Sequence, residues 1–170
     1  EIESLIADMK AGKVETLVID RANPVYEFPV ASGFAEALKQ VKNVIYIGDH
    51  INDTSALATH ILPPSHYLEA WSDALAHGHY GIVQPVIRPL FDTLPVLEIF
   101  GRLKGDTTSA YEQVKKSHAV NGRGQGWDAT LSSGYAVVDA PGAGAARGFK
   151  SAALKALKAP VDAQAGYRLS

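Results

Sequence analysis

The chain has 170 residues, a formal net charge of −2 and no cysteine. This length suits one α/β domain with a small appendage, and the near-neutral charge excludes the basic surface on which nucleic-acid binding depends. The missing cysteines exclude disulfides, thiolate metal sites, iron–sulfur clusters and a cysteine nucleophile, and no apolar run approaches the roughly 20 residues that span a membrane. The chain opens with "EIESLIADM" and has no initiator methionine, which we interpret as a domain cut from a longer protein.

The first part of the chain predicts helices that alternate with buried strands. An amphipathic helix over 2–9 precedes the β-branched run "VETLVID" at 14–20, which is typical of a buried strand. A helix after Ser32 leads to a second strand, "NVIYIGD" at 43–49, and "HILP" at 60–63 predicts a third. This order and spacing predict an α/β fold, with a Rossmann-like open parallel sheet flanked by helices.

The part of the chain that follows is predicted to be more helical and more irregular. The stretch at 77–95, rich in Gly and Pro, predicts loops. Two helices are expected at 95–105 and 106–120, the second capped by Asp106 or a neighbouring threonine. The apolar run "YAVV" at 135–138 predicts a short strand.

Composition divides the chain into two parts. We expect an α/β domain at 1–140, followed by a Gly/Ala linker and a terminal helix at 141–170. The core of the domain is predicted to include apolar residues of the second and third strands. These are Ile45, Ile47, Ile61 and Leu62.

The phrase "GDHINDTSAL" at 48–57 resembles the last acidic motif of haloacid-dehalogenase-type phosphatases and P-type pumps. In that resemblance Asp49 and Asp53 hold Mg²⁺, which prefers oxygen ligands and neutralises a transferred phosphoryl group. Asp20 ends the first predicted strand, as the nucleophilic aspartate of such an enzyme does, but Ala22 stands where a second aspartate is needed. A Mg²⁺-dependent phosphatase built on Asp20, Asp49 and Asp53 is therefore kept as an alternative.

A second resemblance covers about residues 12–135. The segments "DRANPVY", "GFAEALKQV" and "VIYIGDHINDTSALATHILPPSHYLEAW" agree in order and spacing with a block of molybdopterin oxidoreductases of the dimethyl-sulfoxide-reductase type. That block contains a strand ending in Gly-x-Asn-Pro, a helix, a strand ending in Asp-x-Phe-x-x-Glu-Thr, and an Ala-Asp-x-x-Leu-Pro strand. The phrase "LPPSHYLEAWSD…QPVIRPL" is most similar to the B subunit of alternative complex III, a bacterial quinol oxidoreductase.

The molybdopterin resemblance implies a cofactor-binding edge. Asn23 follows one predicted strand, and Asp49, Asp53 and Thr54 follow the next. The carboxyl ends of parallel strands meet at one edge, where dinucleotides bind at a switch in strand order. In this resemblance the four residues face a pterin guanine dinucleotide. Thr54 then donates to a phosphate oxygen, and Asp49 or Asp53 accepts hydrogen bonds from guanine or ribose.

Departures from the family pattern bear on whether a cofactor is retained. Ala22 is taken as the position of the first glycine of the family loop, Asp53 replaces the glutamate, and Thr59-His60 replaces the Ala-Asp pair. We therefore expect molybdopterin guanine dinucleotide to be lost in this chain.

The resemblance then implies a non-catalytic structural or interface domain of an oxidoreductase subunit in a quinol-oxidising respiratory complex. Such a domain contacts the rest of its subunit and other subunits on the periplasmic side of the bacterial inner membrane, without inserting into the membrane. A non-catalytic interaction module is the other alternative.

Five of the six histidines lie between His50 and His79. His66, His77 and His79 could bind zinc or copper through neutral imidazoles. A polar loop that binds no metal is the interpretation that we adopt, because the spacing has no fixed metal signature.

Overall fold

The computed structural model describes residues 1–138 and Ser151. The chain divides into two compact units, Glu1–Ala140 and Pro141–Ser170. The linker and terminal helix predicted at 141–170 lie outside the described residues, apart from Ser151. The account that follows concerns the first unit.

The amino-terminal part of this unit alternates helices with strands, as predicted. Its elements in chain order are α1 (Ile2–Lys10), β1 (Thr16–Asp20), α2 (Pro24–Glu27), α3 (Phe34–Leu38), β2 (Asn43–Ile47) and β3 (His60–Leu62). The three strands pair in parallel in the order β1-β2-β3. The predicted α/β class with a parallel sheet is therefore confirmed. The described strands follow chain order, so this sheet contains no reversal of strand order at its carboxyl edge.

One apolar core holds this sheet and its helices together. Helices α1 and α3 contact each other. The side chains that pack between these helices and the strands are largely inaccessible to water. The buried members are Ile6, Met9, Ile19, Phe34, Ala37, Leu38, Val41, Val44 and Tyr46. Burial of this kind is the main favourable term in folding, so the core fixes the strands from which the loops at the carboxyl edge emerge.

A second, antiparallel sheet follows, and this corrects the prediction of an irregular segment. Strands β4 (Ser72–Ala76) and β5 (His79–Val83) form a hairpin, and β6 (Tyr135–Val137) pairs with β5. The hairpin turn is His77-Gly78, and both residues have positive φ, 49° and 78°. Two-residue turns of this kind match the twist of hairpin strands. The polar residues around the turn concealed the strands in the sequence.

Three helices pack with this second sheet. They are α4 (Val96–Leu103), α5 (Ala110–Asn121) and α6 (Trp127–Ser133). Helix α5 begins later than predicted, because its cap is Ser109, whose Oγ accepts a hydrogen bond from Glu112 N at 3.3 Å. Asp106 instead accepts from Thr108 N at 2.8 Å and holds a turn before the helix.

The predicted core is right for Ile47 and wrong for Ile61. Ile47 is 0% exposed in the central strand β2, whereas Ile61 is 45% exposed. The difference arises because β3 is the outermost strand of the described parallel sheet. Ile45 and Leu62 are partly buried.

We predict that Ile47→Ala lowers the free energy of unfolding by about 2–5 kcal/mol, because it opens a cavity in a closed core. Ile61→Ala, its matched control in the neighbouring strand, should cost less than about 1 kcal/mol. Urea unfolding followed by far-ultraviolet circular dichroism measures both. Equal losses would mean that β3 is covered in solution.

Candidate functional site

The loops after β1 and β2 lie side by side at the carboxyl edge of the parallel sheet. The ladder continues past the strand ends, since Arg21 N donates to Ile47 O at 2.8 Å and Gly48 N donates to Leu62 O at 3.3 Å. The structure therefore brings Asn23 close to the loop after β2, as the sequence predicted.

Asn23, Asp53 and Thr54 form one hydrogen-bonded group, which we call the loop clasp. Asn23 Oδ1 accepts from Thr54 Oγ1 at 2.7 Å and from Thr54 N at 3.2 Å, and Asn23 Nδ2 lies 3.4 Å from Asp53 Oδ2. Thr54 Oγ1 in turn accepts from Val25 N at 3.0 Å. The clasp joins residues about 30 positions apart in the sequence.

Thr54 is fully buried within the clasp. A hydroxyl has one proton to donate, and that proton goes to Asn23 Oδ1. In this conformation Thr54 positions the two loops and has no proton left for a phosphate oxygen. Asn23 uses its carbonyl oxygen within the clasp, and its Nδ2, which carries two protons, has Asp53 Oδ2 at 3.4 Å.

Asp49 and Asp53 are the two predicted site residues with exposed side chains. Asp49 Oδ1 lies 2.7 Å from His50 Nδ1. This hydrogen bond is the main reason why the pKa of the Asp49 carboxyl lies below its ordinary value, and a backbone hydrogen bond acts in the same direction. Asp49 is therefore ionised at neutral pH and can accept hydrogen bonds from outside.

Asn52 and Ser55 fix the turn between these carboxylates, and sequence reasoning missed them. Asn52 N donates to Ser55 Oγ at 2.7 Å, while Ser55 N donates to Asn52 Oδ1 at 2.8 Å. Asn52 Nδ2 also donates to the Tyr46 hydroxyl at 2.7 Å. The reciprocal pair is a form of the capping box, and the spacing of Asn and Ser three positions apart was the available signal.

The left-handed residue of the first loop is Arg21, with φ 49°, and Ala22 has no positive φ. The expectation that Ala22 stands at the family's glycine is therefore wrong. The pattern Gly-x-Asn-Pro, counted back from Asn23, puts the glycine at Arg21, where the backbone still adopts the conformation that favours glycine.

A cleft of about 640 Å³ adjoins this edge. It is lined by apolar groups, by hydroxyl side chains and by five ionisable side chains, which are Arg21, Asp49, His66, Glu69 and Asp92. Three of those five groups are carboxylates. Arg21 is the one cation among these five groups apart from a protonated histidine, and its Nε lies 3.1 Å from Asp20 Oδ1 in an exposed ion pair.

The histidines do not come together as a metal site. His66 Nδ1 accepts from Leu68 N at 3.3 Å, and His79 Nδ1 lies 3.1 Å from His77 O. Among residues 1–138, no group of three or more His, Asp or Glu side chains is placed to hold a metal ion.

We predict that Thr54→Val, which keeps the shape but removes the hydroxyl, lowers the free energy of unfolding by about 1–3 kcal/mol, because it leaves Val25 N without its partner. Thr54→Ser, which keeps the hydroxyl, should lose only about 0.8 kcal/mol for the missing methyl. Asp53→Ala should cost at most about 1 kcal/mol. Denaturant unfolding compares the three, and an Asp53→Ala loss above that of Thr54→Val would place the carboxylate at the centre of the clasp.

Arg21→Gly should leave the protein equally or slightly more stable. The left-handed conformation costs a non-glycine residue about 1–2 kcal/mol, which exceeds the roughly 0.5–1 kcal/mol of extra chain entropy that glycine loses on folding. Ala22→Gly, next to it, should destabilise by about 0.5–1 kcal/mol. Thermal unfolding of the two variants tests the assignment, which fails if their signs are reversed.

Comparison with known proteins gives one protein similar in sequence and one solved structure similar in fold. No family model matches the chain. It is 31% identical over 127 residues to a protein of Nitratidesulfovibrio vulgaris strain Hildenborough, the menaquinone reductase, molybdopterin-binding-like subunit. The match covers 69% of this chain and 18% of that protein. Its fold is similar to acetylene hydratase from Pelobacter acetylenicus, with TM-score 0.66 and 16% identity over 81% of this chain and 20% of the other.

The chain thus spans about a fifth of the length of each relative. The sequence similarity is to a subunit named for molybdopterin binding, and the fold similarity is to a protein with the molybdopterin-enzyme fold. Both comparisons confirm the resemblance that the motifs predicted: the chain is similar in sequence to a molybdopterin-binding-like subunit and similar in fold to acetylene hydratase.

Proposed function

We propose that the chain is a structural and interface domain of a molybdopterin-type respiratory oxidoreductase subunit, and that it works without a bound pterin. The complex would be a quinol-oxidising electron-transfer assembly like alternative complex III, on the periplasmic side of the bacterial inner membrane. The observation that carries this proposal is the loop clasp. At the edge where a dinucleotide is expected, Asn23 and Thr54 bind each other.

The charge at the same edge supports the absence of the cofactor. A pterin guanine dinucleotide carries an anionic pyrophosphate, which needs cations or free N–H donors. The adjoining cleft is lined by three carboxylates, those of Asp49, Glu69 and Asp92. Its arginine, Arg21, also forms an ion pair with Asp20. The residues present do not fit an anionic dinucleotide, so we derive no chemical step through one.

The name of the sequence relative supports a quinone-linked assembly, since that protein is a subunit of a menaquinone reductase. None of the helices within residues 1–138 is long and apolar enough to cross a membrane. In our proposal other subunits provide the contact with the membrane and the electron-transfer centres, and this domain contributes surface and scaffold.

A surface suited to such contacts lies on residues 84–94, which we call the apolar strap. Its backbone is attached to the turn at 67–69, because Val86 N donates to Leu68 O at 2.8 Å and Leu90 N to Glu69 Oε1 at 3.1 Å. Leu90 is nevertheless 71% exposed and Phe91 78%. Large apolar side chains held outward together are typical of protein contacts.

The phosphatase alternative is not favoured. Neither relative points to it, and the carboxylate of Asp20, its nucleophile, is paired with Arg21 at 3.1 Å. Ala22 also stands where such an enzyme needs a second aspartate.

A tagged chain expressed in its native host tests the proposal. After mild detergent extraction of the membranes, it should copurify with iron–sulfur and quinone-binding subunits, identified by mass spectrometry. Acid oxidation of the sample should release no pterin in proportion to the chain. A stoichiometric pterin that disappears on removal of this chain would show that the edge binds the cofactor after all.

The strap variant Phe91→Asp should abolish the copurification, because it places a charge in an apolar contact. Val30→Asp is the matched control, since Val30 is 97% exposed and lies outside the strap. Circular dichroism must show both variants folded. Retained copurification of Phe91→Asp would mean that another surface makes the contact.

A further inference from the structure

Five aromatic side chains between the antiparallel sheet and its helices form a continuous group, which we call the aromatic cluster. Trp71 lies 5.0 Å from Tyr111 and 6.2 Å from Trp127 between ring centroids. Trp127 lies 5.3 Å from His118, and His118 lies 5.9 Å from Tyr80. Electron transfer between side chains weakens steeply with distance, so rings this close are well coupled.

The cluster ends at a phenol that is hydrogen-bonded to a carboxylate. The Tyr80 hydroxyl donates to Asp73 Oδ2 at 2.7 Å, and Val114 O lies 3.3 Å away. Burial raises the pKa of Tyr80 to about 12; a hydrogen bond with Ser117 acts against burial, and the hydrogen bond to Asp73 acts with it. Tyr80 therefore stays protonated at neutral pH, and the Asp73 carboxylate is placed to accept its proton.

The opposite end of the cluster reaches the carboxyl edge of the parallel sheet. Trp71 lines a small cleft of about 100 Å³ together with Arg21, Ser65 and Tyr67. An oxidant in that cleft would meet the Trp71 indole first, while Tyr80 is almost completely buried.

We propose that the aromatic cluster is a one-electron relay that carries an oxidising equivalent from Trp71 to Tyr80. The oxidant is a one-electron acceptor of the oxygen-derived radical class, and it removes one electron from Trp71. Tyr80 then gives one electron to the indole radical cation through Trp127 and passes its phenolic proton to the Asp73 carboxylate. The products are a neutral indole, a neutral phenoxyl radical and a carboxylic acid, and no bond between heavy atoms changes.

Packing alone does not explain this arrangement. Burial of the rings stabilises an apolar core. The Asp73 carboxylate, in contrast, loses part of its hydration when it binds the buried Tyr80 hydroxyl. Tyr111 contacts both indoles, yet its described contacts are with rings and with Lys115. Of the two tyrosines in the cluster, Tyr80 is the one whose hydroxyl is bonded to a carboxylate.

Pulse radiolysis with azide radicals, which oxidise indoles selectively, tests the relay on the full chain. The visible band of the indolyl radical should decay with first-order kinetics as the phenoxyl band grows. Tyr80→Phe should abolish this intramolecular step, and Tyr111→Phe, the matched control, should retain it. Asp73→Asn should slow the step by roughly a hundredfold, because the proton acceptor is lost, and the wild-type rate should fall in deuterium oxide.

The relay is overturned if the phenoxyl radical forms equally fast in Tyr80→Phe, or if its rate rises with protein concentration. If Tyr111→Phe loses the step and Tyr80→Phe retains it, Tyr111 is the tyrosine that gives the electron, and the proposed relay is overturned as well. Near-ultraviolet circular dichroism checks the packing of each variant. If Tyr80→Phe is misfolded, an Asp73→Asn rate equal to that of the wild type decides against the proposal.

Discussion

The buried hydroxyl of Thr54 is the contact on which the carboxyl edge depends. It donates to Asn23 Oδ1 and accepts from Val25 N, so it joins two loops that the sheet brings near each other but does not itself connect. Buried polar groups must be paired, and an unpaired one costs as much as several good contacts provide. The two loops are therefore held in one arrangement, and the positions of Asp49 and Asp53 follow from it.

In our proposal, this constraint explains how the fold is retained without the cofactor. The edge is shaped by hydrogen bonds within the protein, and none of them requires a ligand. In the same way, Arg21 keeps a left-handed backbone, φ 49°, although its side chain pairs with Asp20. The backbone path is set by the register of β1 and β2, and the side chains on it are free to change without loss of the fold.

Local patterns were sufficient to predict the parallel sheet. The apolar runs that became β1 and β2 are short and β-branched, as is typical of parallel strands. The predicted burial fits β2 better than β1, in which Ile19 alone is buried. The burial of Ile61 was mispredicted because exposure depends on whether another strand follows β3, which no local pattern states. The same limit applies to the pairing of β5 with β6, since their residues are far apart in the sequence.

The loop clasp could be predicted only in part. The resemblance predicted that Asn23 and Thr54 lie at one edge and face a ligand, and the structure brings the two side chains together there. Asparagine and threonine can donate and accept, and a sequence does not say which partner they choose. In the structure the Thr54 hydroxyl and the Asn23 carbonyl oxygen are partners of each other. The turn at Asn52 and Ser55 was missed although its spacing is local.

Once the polar groups of the edge are paired internally, the remaining features that need an explanation lie on the outer surface. The apolar strap is the clearest of them. Its backbone is attached by Glu69 and Leu68, so the segment that carries the exposed side chains of Leu90 and Phe91 is already ordered when a partner covers them. Rigid apolar groups presented in advance lower the entropic cost of association. Large apolar side chains that are held together in water are typical of protein contact surfaces, and this supports the interface role that we propose.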